Sequence, residues 1–203
     1  MTKLVIFDFD GVLVNSTLFW FGLNKEVNEN LTWGKYQSFS HGNFWKILNN
    51  EVKSGSHVLP ENYSEKYAKE LLDNHQISTK DTILNLSKRF RLAIVSSSSD
   101  SAIKGLLKKE NLLDSFSEVF GSDRHESKAE KINDLLVEYS VLSTDAVFIT
   151  DSLGDILEAN EAGVKSLGVT WGLHDRETLL RGSPSAIIDD PNDLLKTINE
   201  VLK

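Results

Sequence analysis

Short runs of aliphatic and β-branched residues alternate along the chain with longer segments whose apolar residues recur at helical spacing. The runs fall at 4–7 (LVIF), 92–95 (LAIV), 119–120, 146–149 (AVFI), 166–169 and 186–188 (AII). Between them, 101–110, 128–139 and 155–162 carry the helical pattern, and Gly163 stands where the last of these would stop. This alternation predicts an α/β fold: a Rossmann-like parallel sheet flanked by helices. One region breaks it. From residue 15 to residue 80 no buried strand is visible, and LFWFGLNKEV, NFWKILNNEV and YSEKYAKELLDNH all read as helices. More than half of the aromatic residues fall in this stretch, which gives it the means for a small core of its own. The chain therefore divides into an α/β core, 1–14 with 81–203, and an all-helical insertion, 15–80, placed directly after the first strand.

The polar residues that interrupt this pattern sit where strands end. LVIF runs into Asp8-Phe9-Asp10-Gly11. On a strand, residues i and i+2 share a face, so Asp8 and Asp10 are expected to aim both carboxylates at one place while Phe9 points away. Gly11 lets the backbone turn. LAIV runs into four serines, 96–99, and then a helix; Ser96 is the expected anion contact, and Ser99 or Asp100 the helix cap. Lys128 opens a helix, where a cation is disfavoured by about 0.3–1 kcal/mol, so something else should hold it there. Lys131, one turn on, is the competing choice. The strand at 146–149 leads to Asp151, with Asp155 four residues later. Taken singly, each piece has a plain alternative: a solvated carboxylate pair, a flexible serine linker, a surface lysine, an ordinary first-turn aspartate. Taken together, they crowd up to four carboxylates. Two such charges 4 Å apart repel by about 4 kcal/mol at an effective dielectric near 20, so the cluster calls for a cation. Oxygen ligands alone point to a hard ion such as Mg²⁺.

Composition narrows the function classes. A chain of 203 residues, 40% of them hydrophobic, holds one large core with room for an insertion. The net charge of −8 argues against a nucleic-acid partner. With no cysteine there is neither a disulfide framework nor a thiolate metal site. The apolar runs are too short to span a membrane, so a cytoplasmic protein is expected.

In order, Asp8-Phe9-Asp10-Gly11-Val12, Ser96 after a strand, Lys128 at a helix start and Asp151-Ser152-x-x-Asp155 resemble the four motifs of the haloacid dehalogenase superfamily. The tail SLGVTWGLHDRETLLRGSPSAIIDDPNDLL is similar to the end of phosphoglycolate-phosphatase-like members, and the helical insertion resembles their C1 cap. The resemblance implies a Mg²⁺-dependent phosphatase acting on a small phosphorylated metabolite. Asp8 would be the nucleophile, forming an aspartyl-phosphate, and Asp10 the general acid and base. Ser96 and Lys128, with the amides of Phe9, Asp10 and Ser97, would bind the phosphoryl oxygens. Asp8, the Asp10 carbonyl and Asp151 would hold the metal, with Asp155 positioning the ion or Lys128. Two positions depart from the pattern: Ala129 stands where many relatives carry proline, and Thr150 where glycine commonly precedes the aspartate.

Two other readings compete. A sugar phosphomutase shares the motifs but carries a histidine ten residues after the second aspartate, where this chain has Trp20. A receiver-like phosphoprotein would place its acceptor on a later strand and lack the long insertion. Substrate choice is expected to lie in the insertion. His41 and Gly42 in FSHGNFW form either a specificity loop or an ordinary turn between helices. No arginine occurs between residues 15 and 80, so a second anionic group on the substrate would rely on Lys35, Lys46, Lys53, His41 or His57.

Overall fold

The computed structural model describes residues 3–125 and 127–203; the first two residues of segment 1–14 lie outside them. Six parallel strands form one sheet: β1 (Leu4–Phe7), β2 (Arg91–Val95), β3 (Glu118–Phe120), β4 (Ala146–Thr150), β5 (Lys165–Val169) and β6 (Ala186–Ile188). Their order is β3-β2-β1-β4-β5-β6. Every apolar run read from the sequence lies in one of them. The reason is physical: a parallel strand covered on both faces has no solvent side on which to place polar residues. In β1, Val5 and Phe7 join one core layer, while Leu4 and Ile6 join the layer on the opposite face. All four are essentially inaccessible, and each fully buried side chain of this kind contributes about 1.5–3 kcal/mol.

Ten helices complete the described fold: α1 (Thr17–Val27), α2 (Trp33–Ser38), α3 (Phe44–Lys53), α4 (Tyr63–Asn74), α5 (Lys80–Ser87), α6 (Asp100–Lys109), α7 (Lys128–Glu138), α8 (Leu153–Glu161), α9 (Arg176–Leu180) and α10 (Leu194–Val201). Four of them, α1 to α4, lie between β1 and α5. Leu31, Phe39 and Leu48, on and beside α2 and α3, form a separate apolar cluster with Phe21, Phe44 and Trp45 around it. By contrast, Tyr67 and Leu71 of α4 and Phe19 and Trp20 of α1 pack into the layer shared with the sheet and α6. The helical insertion thus rests on the α/β layer through its first and last helices. No helix among the described residues is long and apolar enough to cross a membrane.

The sheet order reverses beside β1, which lies between β2 and β4. In open α/β sheets the crevice at such a point, outside the carboxyl ends of the strands, is where ligands bind. Phe7 is in register with both Ile94 of β2 and Ile149 of β4. The residues that follow these three strands are therefore delivered to the same level.

Candidate active site

β1 stops at Phe7, one residue before the aspartates. The strand alternation expected to carry both carboxylates to one place does not extend through them. Instead the chain closes a tight turn: Leu13 and Val14 donate amides to the Phe9 carbonyl, Gly11 donates to Val14, and Gly11 adopts φ +73°. Asp8 and Asp10 both line one cavity of about 140 Å³, but their side chains enter different surroundings.

Asp8 is in the acidic group. Its Oδ1 accepts the Phe9 amide at 2.7 Å and its Oδ2 lies 2.8 Å from Lys128 Nζ. Asp151 and Asp155 complete the group, with one ligand atom from each of the three carboxylates within 4.8 Å of the others. Lys128 Nζ also donates to Asp155 Oδ2 at 2.6 Å, and the Thr150 hydroxyl donates to the same oxygen at 2.7 Å. The side chain that departs from the family pattern thus braces a carboxylate of the group. All four charged residues are buried. Burial lifts the Asp8 carboxyl well above the usual carboxylate range; Lys128 opposes this, and Asp155 and Asp151 add to it. Burial likewise pushes Asp151 up to about 7, against the Leu173 amide that donates to it at 2.7 Å. For Asp155, Lys128 and the hydrogen bonds outweigh the cost of burial and hold the carboxyl below its ordinary value. For Lys128, the same burial is outweighed by Asp155 and Asp8, which keep the ammonium charged.

The Asp151 carboxylate sits in a cradle that only glycine leaves open. A Cβ on Gly11 would come within 1.8 Å of Asp151 Oδ2, and one on Gly172 within 2.2 Å.

The cation in the first turn of α7 has a structural explanation. Glu158 Oε1 accepts the Lys128 amide at 2.8 Å and the Ser127 hydroxyl at 2.9 Å, so a carboxylate occupies the positive end of the helix. The two lysines of α7 part in space. Lys128 reaches the acidic group, whereas Lys131 Nζ donates to the Ser96 carbonyl at 2.7 Å. Burial, with Lys128 nearby, lowers the Lys131 ammonium to about 8.

Asp10 faces a set of donors that sequence reading did not find. Its Oδ1 accepts the Ser16 hydroxyl at 2.5 Å, the Tyr67 hydroxyl, and the Trp20 indole at 3.4 Å; its Oδ2 accepts the Ser98 hydroxyl at 2.6 Å. Trp20 also stacks on Tyr67, with ring centroids 4.5 Å apart. The Asp10 carboxylate therefore belongs to this network and not to the group of Asp8, Asp151 and Asp155.

Ser96 and Ser97 line the cavity, and Ser96 is fully buried, its Oγ accepting the Ser98 amide at 3.1 Å. Ser99 takes the cap position of α6 without a side-chain cap bond, and Asp100 Oδ1 instead accepts the Gly121 amide at 2.8 Å. Phe9 places its ring in the core and its amide on Asp8. His41 and Gly42 stand off the cavity lining. The His41 ring lies 5.2 Å from that of His174, and a Cβ on Gly154 would meet the Gly42 carbonyl at 2.1 Å. Their neighbour Ser40 lines the cavity, and its carbonyl accepts the Gly154 amide at 2.7 Å. The turn between α2 and α3 is thus docked on the start of α8. Asn43 Nδ2 adds a bond to Glu158 at 2.9 Å, and Gln37 Nε2 one to the Leu173 carbonyl at 2.7 Å.

Comparison with known proteins agrees with this architecture. A family model described as haloacid dehalogenase-like hydrolase matches residues 5–169. A phosphoglycolate phosphatase of Synechococcus elongatus is 26% identical over 117 residues, 58% of this chain and 55% of that one, so the match spans about half of that relative's length. A phosphoglycolate phosphatase of Vibrio parahaemolyticus is 25% identical over 221 residues, 97% of this chain and 96% of that one. A solved haloacid dehalogenase-like family protein of Streptococcus pneumoniae superposes with a TM-score of 0.78 at 20% identity, covering 97% of this chain and 98% of that one.

Proposed function

The chain belongs to the haloacid dehalogenase-like hydrolase family and is a phosphatase; from there we propose that it hydrolyses a small phosphate monoester through a phosphorylated Asp8, with Mg²⁺ as cofactor. The observation that carries this reading is the buried group of Asp8, Asp151 and Asp155 around a single ammonium at the floor of one cavity. The donor set suits a hard divalent ion. It offers only oxygen atoms, and burial lifts two of its three carboxyls, so a further positive charge would relieve them. Asp8, Asp151 and Asp155 would hold the ion, and when bound it would supply charge neutralisation and Lewis acidity at the phosphoryl group.

The remaining chemistry falls to the chain's own side chains. Asp8 attacks phosphorus to form the acyl phosphate, and Asp10 protonates the departing oxygen. Asp10 then accepts a proton from the water that cleaves the acyl phosphate. Lys128, Ser96 and the amides of Asp10 and Ser97 bind the phosphoryl oxygens where charge develops, the Phe9 amide being held by Asp8. Ser16, Trp20, Tyr67 and Ser98 orient the Asp10 carboxylate through the bonds described above. Trp20 occupies, beside Asp10, the sequence position where the resemblance expects a mutase to carry histidine. This favours hydrolysis over phosphoryl transfer between sugars.

The direct assay is turnover of p-nitrophenyl phosphate with Mg²⁺. Excess chelator is expected to abolish it, and Mg²⁺ added to the chelated protein to raise its Tm, since a ligand at 100 times its Kd stabilises by about 2.7 kcal/mol. Turnover indifferent to chelation, or a Tm indifferent to Mg²⁺, would remove the metal from the account.

Tyr67→Phe removes one donor from Asp10, worth about 0.5–1.5 kcal/mol. It is expected to lower kcat/KM, which reports the steps up to loss of the leaving group, by about tenfold for alkyl phosphates and to spare that of p-nitrophenyl phosphate, whose leaving group needs no proton. Equal losses on both esters would contradict a positioning role.

A further inference from the structure

The walls of the cavity away from the acidic floor are built from the helical insertion. Trp20 comes from α1, Tyr36 from α2, Phe44, Trp45 and Leu48 from α3, and Tyr63 from α4. Several of these rings pack against one another: Phe44 and Trp45 lie edge to face at 5.3 Å, and Trp20 and Tyr63 are 6.1 Å apart. Lys128 is the one cationic side chain among the described residues lining the cavity, and its ammonium is bonded to Asp8 and Asp155.

The basic groups of the insertion that could have served a second anion point elsewhere. Lys35 pairs with Glu51 at 2.6 Å, and Lys46 and Lys53 border a separate depression. His41 lies against His174. His57 is buried with its Nε2 on Asn24 Oδ1 at 2.9 Å, and burial lowers its tendency to protonate. Asn24 itself lines the cavity, but its amide nitrogen is bonded to the Trp20 carbonyl at 2.9 Å.

We infer that the leaving alcohol is uncharged and carries an aromatic or other apolar group that rests on this wall, and that a carboxylate such as that of phosphoglycolate is disfavoured. The inference rests on the phosphatase reading and goes beyond it, because it separates this chain from the activity named for its relatives. A carboxylate entering this space loses its water shell and, among the described residues of the wall, meets no cationic side chain to replace it. An apolar ring loses nothing by the same move and gains contact with the rings of the wall.

The test is kcat/KM with Mg²⁺ for four esters: p-nitrophenyl phosphate, benzyl phosphate, 2-hydroxyethyl phosphate and 2-phosphoglycolate. The last two differ chiefly in the carboxylate. Benzyl phosphate is expected to exceed 2-hydroxyethyl phosphate by about tenfold or more, and 2-hydroxyethyl phosphate to exceed 2-phosphoglycolate by a similar factor. Phosphoglycolate turned over as well as either neutral ester would overturn the inference and leave the phosphatase reading standing. No turnover of any ester, p-nitrophenyl phosphate included, would overturn both. Trp45→Ala is expected to cost about tenfold on benzyl phosphate and less than about twofold on 2-hydroxyethyl phosphate; equal losses would deny the wall its role in selection.

Discussion

Asp8→Asn is expected to lower kcat for p-nitrophenyl phosphate by at least about four orders of magnitude without lowering the Tm of the chelated protein. The amide keeps the shape of the carboxyl and removes its capacity to attack phosphorus. The stability half follows from the direction of the pKa shift. A carboxyl whose folded pKa is raised binds its proton more tightly in the folded chain. Its ionisation therefore costs stability as pH rises above the unfolded value near 3.9, and asparagine removes that cost at neutral pH. Lys128 keeps its bond to Asp155 in the variant. Turnover that persists would take the nucleophile away from Asp8, and a lowered Tm would contradict the stability half.

The two lysines of α7 should separate just as clearly. Lys128→Met strips the single ammonium from three buried carboxylates. Breaking a buried pair from one side costs about 3–5 kcal/mol, and losing a charge aimed at the transferring group costs about two to three orders of magnitude in kcat. Lys131→Met removes a donor to the Ser96 carbonyl. The Lys131 ammonium is already destabilised by burial, so its loss should leave the Tm near that of the parent and reduce kcat by no more than about tenfold. Parallel measurements of Tm and kcat decide the matter. Equal effects in the two variants would mean that the phosphoryl contact is not assigned to one lysine.

Much of this arrangement is readable from the chain because of how parallel sheets are buried. A strand covered on both faces must be apolar throughout, so each strand shows as an uninterrupted run. The first polar residue after it, as at Asp8 and Ser96, marks the ligand end. The same logic misleads at Asp10, because the alternation of a strand holds only while the strand lasts, and β1 ends at Phe7. The partners of Asp10 leave no local trace. Tyr67 is 57 positions away and Ser98 is 88, and only the packing of α4 on the sheet layer beside α6 brings the tyrosine in. Glu158, which resolves the misplaced charge of Lys128, was equally invisible, since in sequence it is one more carboxylate in an amphipathic helix. The turn at His41 and Gly42 looks in sequence like a loop free to meet substrate. In space its backbone is held on the start of α8, and the cavity is left to Ser40 and the rings of the insertion.

The measurement closest to the centre of the account is the chemical state of the chain during turnover. Protein quenched in acid while hydrolysing p-nitrophenyl phosphate with Mg²⁺ should gain the mass of one phosphoryl group, and the modified peptide should carry it on Asp8 as an alkali-labile acyl phosphate. A phosphoryl group on another residue, or rapid turnover with none detected under conditions that preserve acyl phosphates, would contradict it.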